Sequence, residues 1–238
     1  MPARLLDPSR PIAIAHRAGN DLSRLKEAEA AGADVVEADL WQRLGRLEVR
    51  HLKTVGPIPI FWDRWYLANP FARRPLLREL VAAAAPETLL MLDLKGWSNQ
   101  LGPAVRREME RIAPGRPYAV CAQRWSMLEP FHAVPEAIVV HSIGNRERIG
   151  QVMAHISRPG HAAVSIHQEL LSPAVVARLR EHAAVVMAWP VNDEALLHRL
   201  YRLGVNGFST DRLEIVRAVG ELGPLPPVAS APVDPSMR

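Results

Sequence analysis

Residues that can bind metal or transfer protons gather near the ends of short apolar runs in the first half of this 238-residue chain. The run IAHR (14–17) ends in a histidine and an arginine, and DVVEADLW (34–41) carries two acids two residues apart. A second histidine follows in RLEVRHL (46–52), and TLLMLDLK (88–95) ends in an acid and a lysine. The residues are His16, Arg17, Glu37, Asp39, His51, Asp93 and Lys95.

The acids indicate a metal site. Alternate residues of a strand point to the same face, so Glu37 and Asp39 share one face. Asp93 and Lys95 share a face of their own strand for the same reason. Carboxylates that converge on one site repel each other, and a hard divalent cation relieves the repulsion. Ligation by Glu37, Asp39 and Asp93 through oxygen alone predicts Mg²⁺ or Ca²⁺ rather than Zn²⁺.

The remaining residues suit phosphate chemistry. Histidine titrates near neutrality, so His16 and His51 form a candidate acid–base pair. Arg17 and Lys95 supply positive charge for phosphate oxygens. A metal, two histidines and two cations around one site predict reaction at a phosphodiester.

Positioning these side chains requires a scaffold in which several strand ends meet. Short apolar runs alternate with amphipathic segments in about eight strand-then-helix units, which predicts parallel strands with helical crossovers. Eight units within 1–222 predict a single-domain (β/α)₈ TIM barrel, in which active-site residues lie at the carboxyl ends of the strands. A doubly wound sheet is the alternative, but it usually has a glycine-rich loop after its first strand, and HRAGND (16–21) does not have that pattern.

The element boundaries follow from periodicity and capping residues. Asn20 or Asp21 can cap the first helix, and Ser172 with Pro173 begins a later one. The predicted strands are 11–16, 34–41, 88–95, 118–122, 137–142, 162–167, 185–191 and 205–210, with a further extended piece at 46–52. The predicted helices are 22–32, 74–85, 104–113, 126–134, 146–156, 172–183, 193–204 and a last one from Asp211.

Two segments lie outside this alternation. The stretch 53–73 is the one long irregular loop that the sequence predicts. Its five aromatic residues suggest a lid, an oligomer contact or a patch that touches a membrane, and the sequence does not rank these. The Pro-rich stretch 223–238 lacks periodicity and predicts a disordered tail.

Composition excludes several classes of protein. The net charge is +4, from 29 basic and 25 acidic residues that are interspersed, which does not predict nucleic-acid binding. No apolar run approaches the ~20 residues of a spanning helix, and the first ten residues lack a secretory h-region. Cys121 is the one cysteine, so no internal disulfide forms. These features predict a cytoplasmic enzyme, with contact to an anionic membrane surface left open.

Several motifs together resemble one known family. IAHR, GADVVEADL, the following RH, LLMLDLKG, AWPVND and GVNGFSTDR, spread over 11–215, are similar to the glycerophosphodiester phosphodiesterase family of metal-dependent TIM barrels. The resemblance implies that His16 and His51 are the catalytic pair and that Glu37, Asp39 and Asp93 bind the metal. It also implies that Arg17 and Lys95 bind phosphate and that Trp189 lines the pocket.

The chain departs from the usual pattern of that family at three places. AGNDLSRL (18–25) stands where a Pro-Glu-Asn-Thr stretch with a metal-binding glutamate is usual. Leu52 rather than Asp follows the second histidine, and Asp93 stands in place of a Glu. These features resemble the sphingomyelinase D/phospholipase D branch of the same superfamily, which implies a cyclic phosphate product as one alternative. Hydrolysis of glycerophosphodiesters or lysophospholipid-like esters is the first expectation, and a barrel that binds phosphate ligands without turnover is another alternative.

Overall fold

The structure is a computed structural model. It describes residues 7–55, 58–63, 66–68, 73–156 and 162–226, and for 54–55, 58–63, 66–68 and 162 it gives the backbone only.

Eight parallel strands close into a barrel, as the alternation of strands and helices predicted. The first strand pairs with both the second and the last barrel strand, which completes the ring. Of the described strands, those of the barrel are β1 (Ile12–Ala15), β2 (Val35–Arg43), β7 (Leu89–Leu94), β8 (Tyr118–Ala122), β9 (Ala137–Ile143), β10 (Ala162–His167), β11 (Ala183–Trp189) and β12 (Gly207–Thr210). A further strand, β3 (Arg46–Val49), forms an antiparallel hairpin with β2. The doubly wound alternative is wrong.

Helices surround the barrel and cover the outer faces of its strands. Among the described residues they are α1 (Leu22–Ala30), α2 (Leu77–Ala83), α3 (Leu101–Ile112), α4 (Glu147–His155), α5 (Pro173–Arg180), α6 (Glu194–Arg202) and α7 (Leu213–Gly220). The helix predicted at 126–134 is wrong, because two 3₁₀ turns, Trp125–Met127 and Glu129–Phe131, lie there instead. Pro130 within this segment lacks the backbone N–H that a continuous α-helix would need.

Capping side chains set where the helices begin. The Asp21 side chain accepts hydrogen bonds from the backbone N–H of Ser23 and Arg24, so Asp21 rather than Asn20 caps α1. Ser172 caps α5 with Pro173 in its first turn, as predicted. The last helix begins at Leu213 rather than at Asp211, which leaves Asp211 at the end of β12.

The stretch predicted as one irregular loop contains three strands. These strands, β4 (Lys53–Val55), β5 (Ile58–Asp63) and β6 (Tyr66–Ala68), form a small antiparallel sheet. The prediction of irregular structure is therefore wrong for these strands. The aromatic side chains of this segment lie outside the described residues.

Apolar side chains fill both the barrel interior and the layer between strands and helices. The interior cluster, which includes Ile12, Ile14, Val35, Met91 and Val140, occupies the amino-terminal half of the barrel. Both faces of each strand are therefore buried, which matches the near-continuous apolar runs of parallel strands. Polar residues enter the interior only toward the carboxyl ends of the strands, where the mouth opens.

The first residues of the predicted tail are held against the barrel. The Tyr201 hydroxyl donates a hydrogen bond to the carbonyl of Pro224 at 2.7 Å, and the Leu225 N–H donates to the carbonyl of Ser9 at 2.9 Å. Residues 227–238 lie outside the described residues, and the disorder of the tail stays a prediction. No helix among the described residues has the length and hydropathy needed to cross a membrane.

A buried histidine on the outer face of β9 predicts a pH-dependent stability. His141 is 4% exposed and packs beside Trp125, with His132 and His155 at ring-centroid distances of 6.2 and 6.0 Å. Burial first, and then the charges of His132 and His155, lower the pKa of His141 to about 4.

Because the unfolded chain binds this proton at the ordinary histidine pKa of about 6.5, the folded state loses stability as pH falls from about 6.5 to about 4. The loss amounts to roughly 3 kcal/mol at the acidic end. Urea unfolding between pH 7 and pH 4.5 measures it, and His141→Gln removes this part of the slope. The exposed His198→Gln serves as the matched control. An identical slope in wild type and His141→Gln contradicts the prediction.

Candidate active site

The carboxyl ends of the eight barrel strands surround a cavity of about 400 Å³. Strand alternation carries side chains into it at every second residue, as at Ser165 and His167 on β10. The lining residues are His16, Arg17, Glu37, His51, Met91, Asp93, Lys95, Cys121, Gln123, Ser142, Ser165, His167, Trp189, Pro190, Ser209 and Asp211. Seven of the eight predicted site residues are among them.

The eighth, Asp39, belongs to a cluster of three carboxylates. Glu37, Asp39 and Asp93 each offer an oxygen within 4.8 Å of the others. The β2–β7 register brings Asp39 directly beside Asp93, and Glu37 lies one alternation earlier on β2. Glu37 and Asp39 are 2% and 0% exposed, and the buried Glu37 Oε1 has no hydrogen-bond partner among the described residues. An unpartnered buried carboxylate oxygen inside an all-oxygen cluster fits a hard divalent cation.

Lys95 is the cation nearest to this cluster. Its Nζ lies 2.8 Å from Asp39 Oδ1 and also contacts Asp93 Oδ2. Three ionised carboxylates and one ammonium have a formal charge of −2. The net charge of the cluster is therefore equal and opposite to that of a divalent cation.

Burial and neighbouring charges raise the pKa of some groups in the cluster and lower the pKa of another. Burial, and then the negative charges of Asp39 and Asp93, raise the pKa of Glu37 well above its ordinary value. Burial acts in the same direction on Asp39, but the His51 hydrogen bond and Lys95 outweigh it and lower the pKa of that group. Burial also raises the pKa of Asp93. Burial would lower the pKa of Lys95, but the surrounding carboxylates, Asp93 foremost, raise it. Lys95 is therefore charged, and Glu37 is the carboxyl that most needs a compensating cation.

Each predicted catalytic histidine is held through Nδ1 by a different carboxylate. His16 Nδ1 lies 2.8 Å from Asp211 Oδ1, and His51 Nδ1 lies 3.2 Å from Asp39 Oδ2. An imidazole anchored at Nδ1 presents Nε2 on the opposite edge of its ring, and both rings line the cavity. The two histidines therefore meet the geometric condition for proton transfer at a bound substrate.

A tight turn after β1 joins the first histidine to the carboxylate cluster. Arg17 has the left-handed backbone conformation (φ 56°), and its N–H donates to Glu37 Oε2 at 2.6 Å. The Asn20 side chain makes two hydrogen bonds to Asp39, one donated to Oδ2 at 2.7 Å and one accepted from the backbone N–H at 2.8 Å. Arg17 Nε lies 3.9 Å from Asp39 Oδ2. The turn thus orients two of the three carboxylates.

Trp189 forms part of the cavity wall at the end of β11. It follows the last buried residues of β11, and the edge of its ring meets His167 at a centroid distance of 4.8 Å. Of the three residues after β8, only Gln123 lines the cavity. Arg124 donates to the carbonyl of Trp97, and Trp125 packs outside the barrel beside His141.

Comparison with known proteins shows a family to which part of the chain is similar. A sequence model described as the glycerophosphoryl diester phosphodiesterase family matches residues 107–215, which include β8 to β12. In this part the chain is similar to the glycerophosphoryl diester phosphodiesterase family. The match identifies it as a phosphoric diester hydrolase of the glycerophosphodiester phosphodiesterase type. No protein with curated annotation matches the chain.

Solved structures of several phosphodiesterases share the fold of this chain. A phosphodiesterase from Oleispira antarctica, solved in complex with the product sn-glycerol-3-phosphate, has a TM-score of 0.70 at 17% identity, over 90% of this chain and 97% of that one. A glycerophosphodiester phosphodiesterase from Parabacteroides distasonis gives 0.70 at 17% identity over 89% and 97%. One from Thermotoga maritima gives 0.64 at 15% over 87% and 96%. At these identities the likeness concerns the fold.

A glycine allows the turn after β1 to approach β2. A Cβ added to Gly19 would lie 2.7 Å from Ala38 Cβ and 3.0 Å from the Glu37 carbonyl oxygen. We expect Gly19→Ala to displace the turn, lower the free energy of unfolding by about 1–3 kcal/mol through overpacking, and lower kcat. Urea unfolding and steady-state kinetics measure both effects.

Gly150→Ala in α4 is the matched control, because an added Cβ there meets nothing within 4 Å. It removes a helix-interior glycine, so we expect a stability gain of about 0.5–1 kcal/mol with unchanged kcat. A Gly19→Ala variant as stable and as active as wild type contradicts the close approach.

Asp211 and Asn20 lie at the mouth but were not among the predicted site residues. Asp211 continues the inward alternation of Gly207 and Ser209 on β12, so strand periodicity could have identified it. Asn20 was predicted only as a helix cap, and the sequence allows Asn192, in the motif AWPVND, to cap the next helix or line the pocket. Asp193 caps α6 instead. No sequence signal distinguishes Asn20 or Asn192 from ordinary capping residues.

Proposed function

We propose that the chain hydrolyses glycerophosphodiesters or lysophospholipid-like esters with Mg²⁺ or Ca²⁺ and two histidines. The observation that carries the proposal is the joint placement of His16, His51 and the carboxylate cluster around one cavity. A bound divalent ion would act as a Lewis acid on the phosphate. Glu37, Asp39 and Asp93 are the residues that would hold it.

The chain's own residues then supply the proton transfers. His16 takes a proton from the nucleophile as the nucleophile's oxygen bonds to phosphorus. His51 gives a proton to the oxygen of the leaving alcohol as the bond between that oxygen and phosphorus breaks. With water as nucleophile the products are an alcohol and a phosphomonoester. With a neighbouring substrate hydroxyl, the product is a cyclic phosphate.

Positive side chains and the pocket wall orient the substrate. Lys95 and Arg17 neutralise the phosphate charge, and Trp189 lies against the part of the substrate that extends toward β11. The product in the Oleispira antarctica enzyme, sn-glycerol-3-phosphate, supports a glycerophosphodiester as substrate here. Contact of the mouth with an anionic lipid surface remains part of the proposal for lysophospholipid-like substrates.

A substrate panel tests the proposal. Glycerophosphocholine, glycerophosphoglycerol and lysophosphatidylcholine are each incubated with Mg²⁺, Ca²⁺ or EDTA, and ³¹P NMR separates an open monoester from a cyclic phosphate. We expect turnover of at least one ester with a metal and none with EDTA. Absence of turnover with any metal, together with a ligand-induced thermal shift, would favour a phosphate-binding barrel instead.

A further inference from the structure

We propose that Asp211 and Asn192 are positioning residues that hold His16 in the tautomer required of a proton acceptor. This inference deepens the proposed function and rests on it. Both residues lie at the mouth, Asp211 directly after β12 and Asn192 in the loop between β11 and α6. Among the described residues, neither Asp211 nor Asn192 makes a hydrogen bond or an ion pair with the carboxylate cluster.

The contact between Asp211 and His16 selects one tautomer. Asp211 Oδ1 lies 2.8 Å from His16 Nδ1. The hydrogen bond to His16, followed by that to Asn192, lowers the pKa of Asp211 to about 2, so the carboxyl is an acceptor at neutral pH. A neutral His16 therefore carries its proton on Nδ1 and presents the lone pair of Nε2 on the opposite edge of the ring.

The same contact stabilises the product of proton transfer. When Nε2 takes up a proton, the ring becomes a cation beside an ionised carboxylate, and the charge-assisted hydrogen bond strengthens. In the Ser-His-Asp triad, a carboxylate orients the histidine and stabilises its cation in the same way. Replacing that Asp by Asn preserves the geometry of the triad but changes the histidine tautomer.

Asn192 in turn fixes the Asp211 carboxylate. Asn192 Oδ1 accepts from the Thr210 hydroxyl and from the Asp211 N–H, each at 3.0 Å. With its oxygen engaged by two donors, the amide directs Nδ2 to Asp211 Oδ2, also at 3.0 Å. The orientation of the amide is thus determined by its hydrogen bonds, and it leaves Oδ1 of Asp211 to the histidine.

Backbone hydrogen bonds join the three segments that carry this arrangement. The His16 N–H donates to the Thr210 carbonyl at 2.8 Å, which fixes the end of β1 to the end of β12. The Val191 N–H donates to the Ser209 carbonyl at 2.8 Å, which fixes the β11–α6 loop to the same strand. The three side chains therefore stand on a rigid frame, as positioning residues require.

Variants at these positions test the inference through kinetics. Asp211→Asn preserves the shape but offers an amide to Nδ1, and we expect kcat to fall by about 10- to 10²-fold, with KM changed by less than about twofold. Asn192→Asp replaces the donor with a second carboxylate against Asp211, and we expect a smaller fall in kcat. The neighbouring Asp193→Asn is the matched control, because it makes the same change of carboxylate to amide, retains a side chain that can cap α6 and does not touch His16.

Two further measurements separate positioning from general damage. In a His16→Ala background, Asp211→Asn should cause no additional loss, because residues that act as one unit are not additive. ¹⁵N NMR of histidine-labelled protein, with the His16→Ala spectrum as assignment, should show the Nδ1–H tautomer in wild type and a mixture in Asp211→Asn. The NMR result does not depend on turnover.

The outcomes distinguish this inference from the proposed function. Full activity of His16→Ala would overturn the proposed function. Loss of activity in His16→Ala together with wild-type kcat in Asp211→Asn would overturn only the positioning role. An equal effect of Asp211→Asn with and without His16, or an Nε2–H tautomer in wild type, would overturn it as well.

Discussion

We expect alanine in place of either mouth histidine to lower kcat by about 10²–10⁴, the contribution of a positioned acid or base. His16→Ala removes the group beside Asp211, and His51→Ala removes the group beside Asp39. Steady-state kinetics on the best substrate of the panel measure both effects. The control is His167→Ala, since His167 also lines the cavity but has no proton-transfer role in the proposal.

A leaving group of low pKa provides a sharper version of this test. A p-nitrophenyl ester needs little protonation as it departs, so the loss in the variant that lacks the acid should shrink on that substrate. The loss in the variant that lacks the base should remain. This comparison assigns the two roles, and wild-type turnover in both alanine variants would contradict them.

We expect neutralisation of one carboxylate of the cluster to abolish the proposed metal-dependent turnover. Glu37→Gln keeps the shape of the side chain and its bond from the Arg17 N–H, but it removes the charge beside Asp39 and Asp93. We expect affinity for Mg²⁺ or Ca²⁺ to fall by roughly 10²-fold or more, beyond the 10–100-fold that outer hydrogen-bond partners of a metal site contribute. Titration calorimetry measures the affinity.

The matched control is Asp34→Asn at the opposite end of the barrel. Asp34 pairs with Arg10 and accepts from the Ala13 N–H, away from the mouth. Its loss should affect stability and leave metal affinity unchanged. Because Glu37 is buried beside two other carboxylates, Glu37→Gln should not destabilise the metal-free protein. Metal affinity equal to that of wild type would exclude Glu37 as a ligand.

Different carboxylates hold the two histidines of the mouth. Asp39 contacts both His51 and Lys95, so one histidine is tied to the carboxylate cluster. His16 is tied to Asp211 on the opposite side of the β1–β12 junction. The two histidines are therefore supported independently, and substitution of one should leave the other in place.

Strand periodicity was enough to place the carboxylate cluster from sequence. In β2 the inward positions Val35, Glu37 and Asp39 alternate with apolar residues that face the helices. Because side chains alternate with a period of two, only one set of side chains on a barrel strand can face the interior. The convergence of Glu37 and Asp39 with Asp93 therefore follows from the sequence. The barrel itself follows because eight strand–helix units have few other ways to bury both faces of parallel strands.

The sequence did not predict which of two adjacent polar residues caps a helix. Asn20 and Asp21 are both good caps, and only the approach of Asp39 to Asn20 decides that Asp21 caps the helix. Likewise Asp193 caps α6 because Thr210 and Asp211 engage Asn192. Local propensity does not distinguish neighbouring caps, whereas a contact across the barrel does.

The sequence by itself determined the barrel, the identity of the candidate acids and bases, and the end of the barrel where they meet. Those features depend on periodicity and on residue chemistry, which the chain carries locally. Only the tertiary structure decided which carboxylate holds which histidine, because His16 and Asp211 are 195 residues apart. The closure of the ring between β1 and β12 brings them within hydrogen-bond distance.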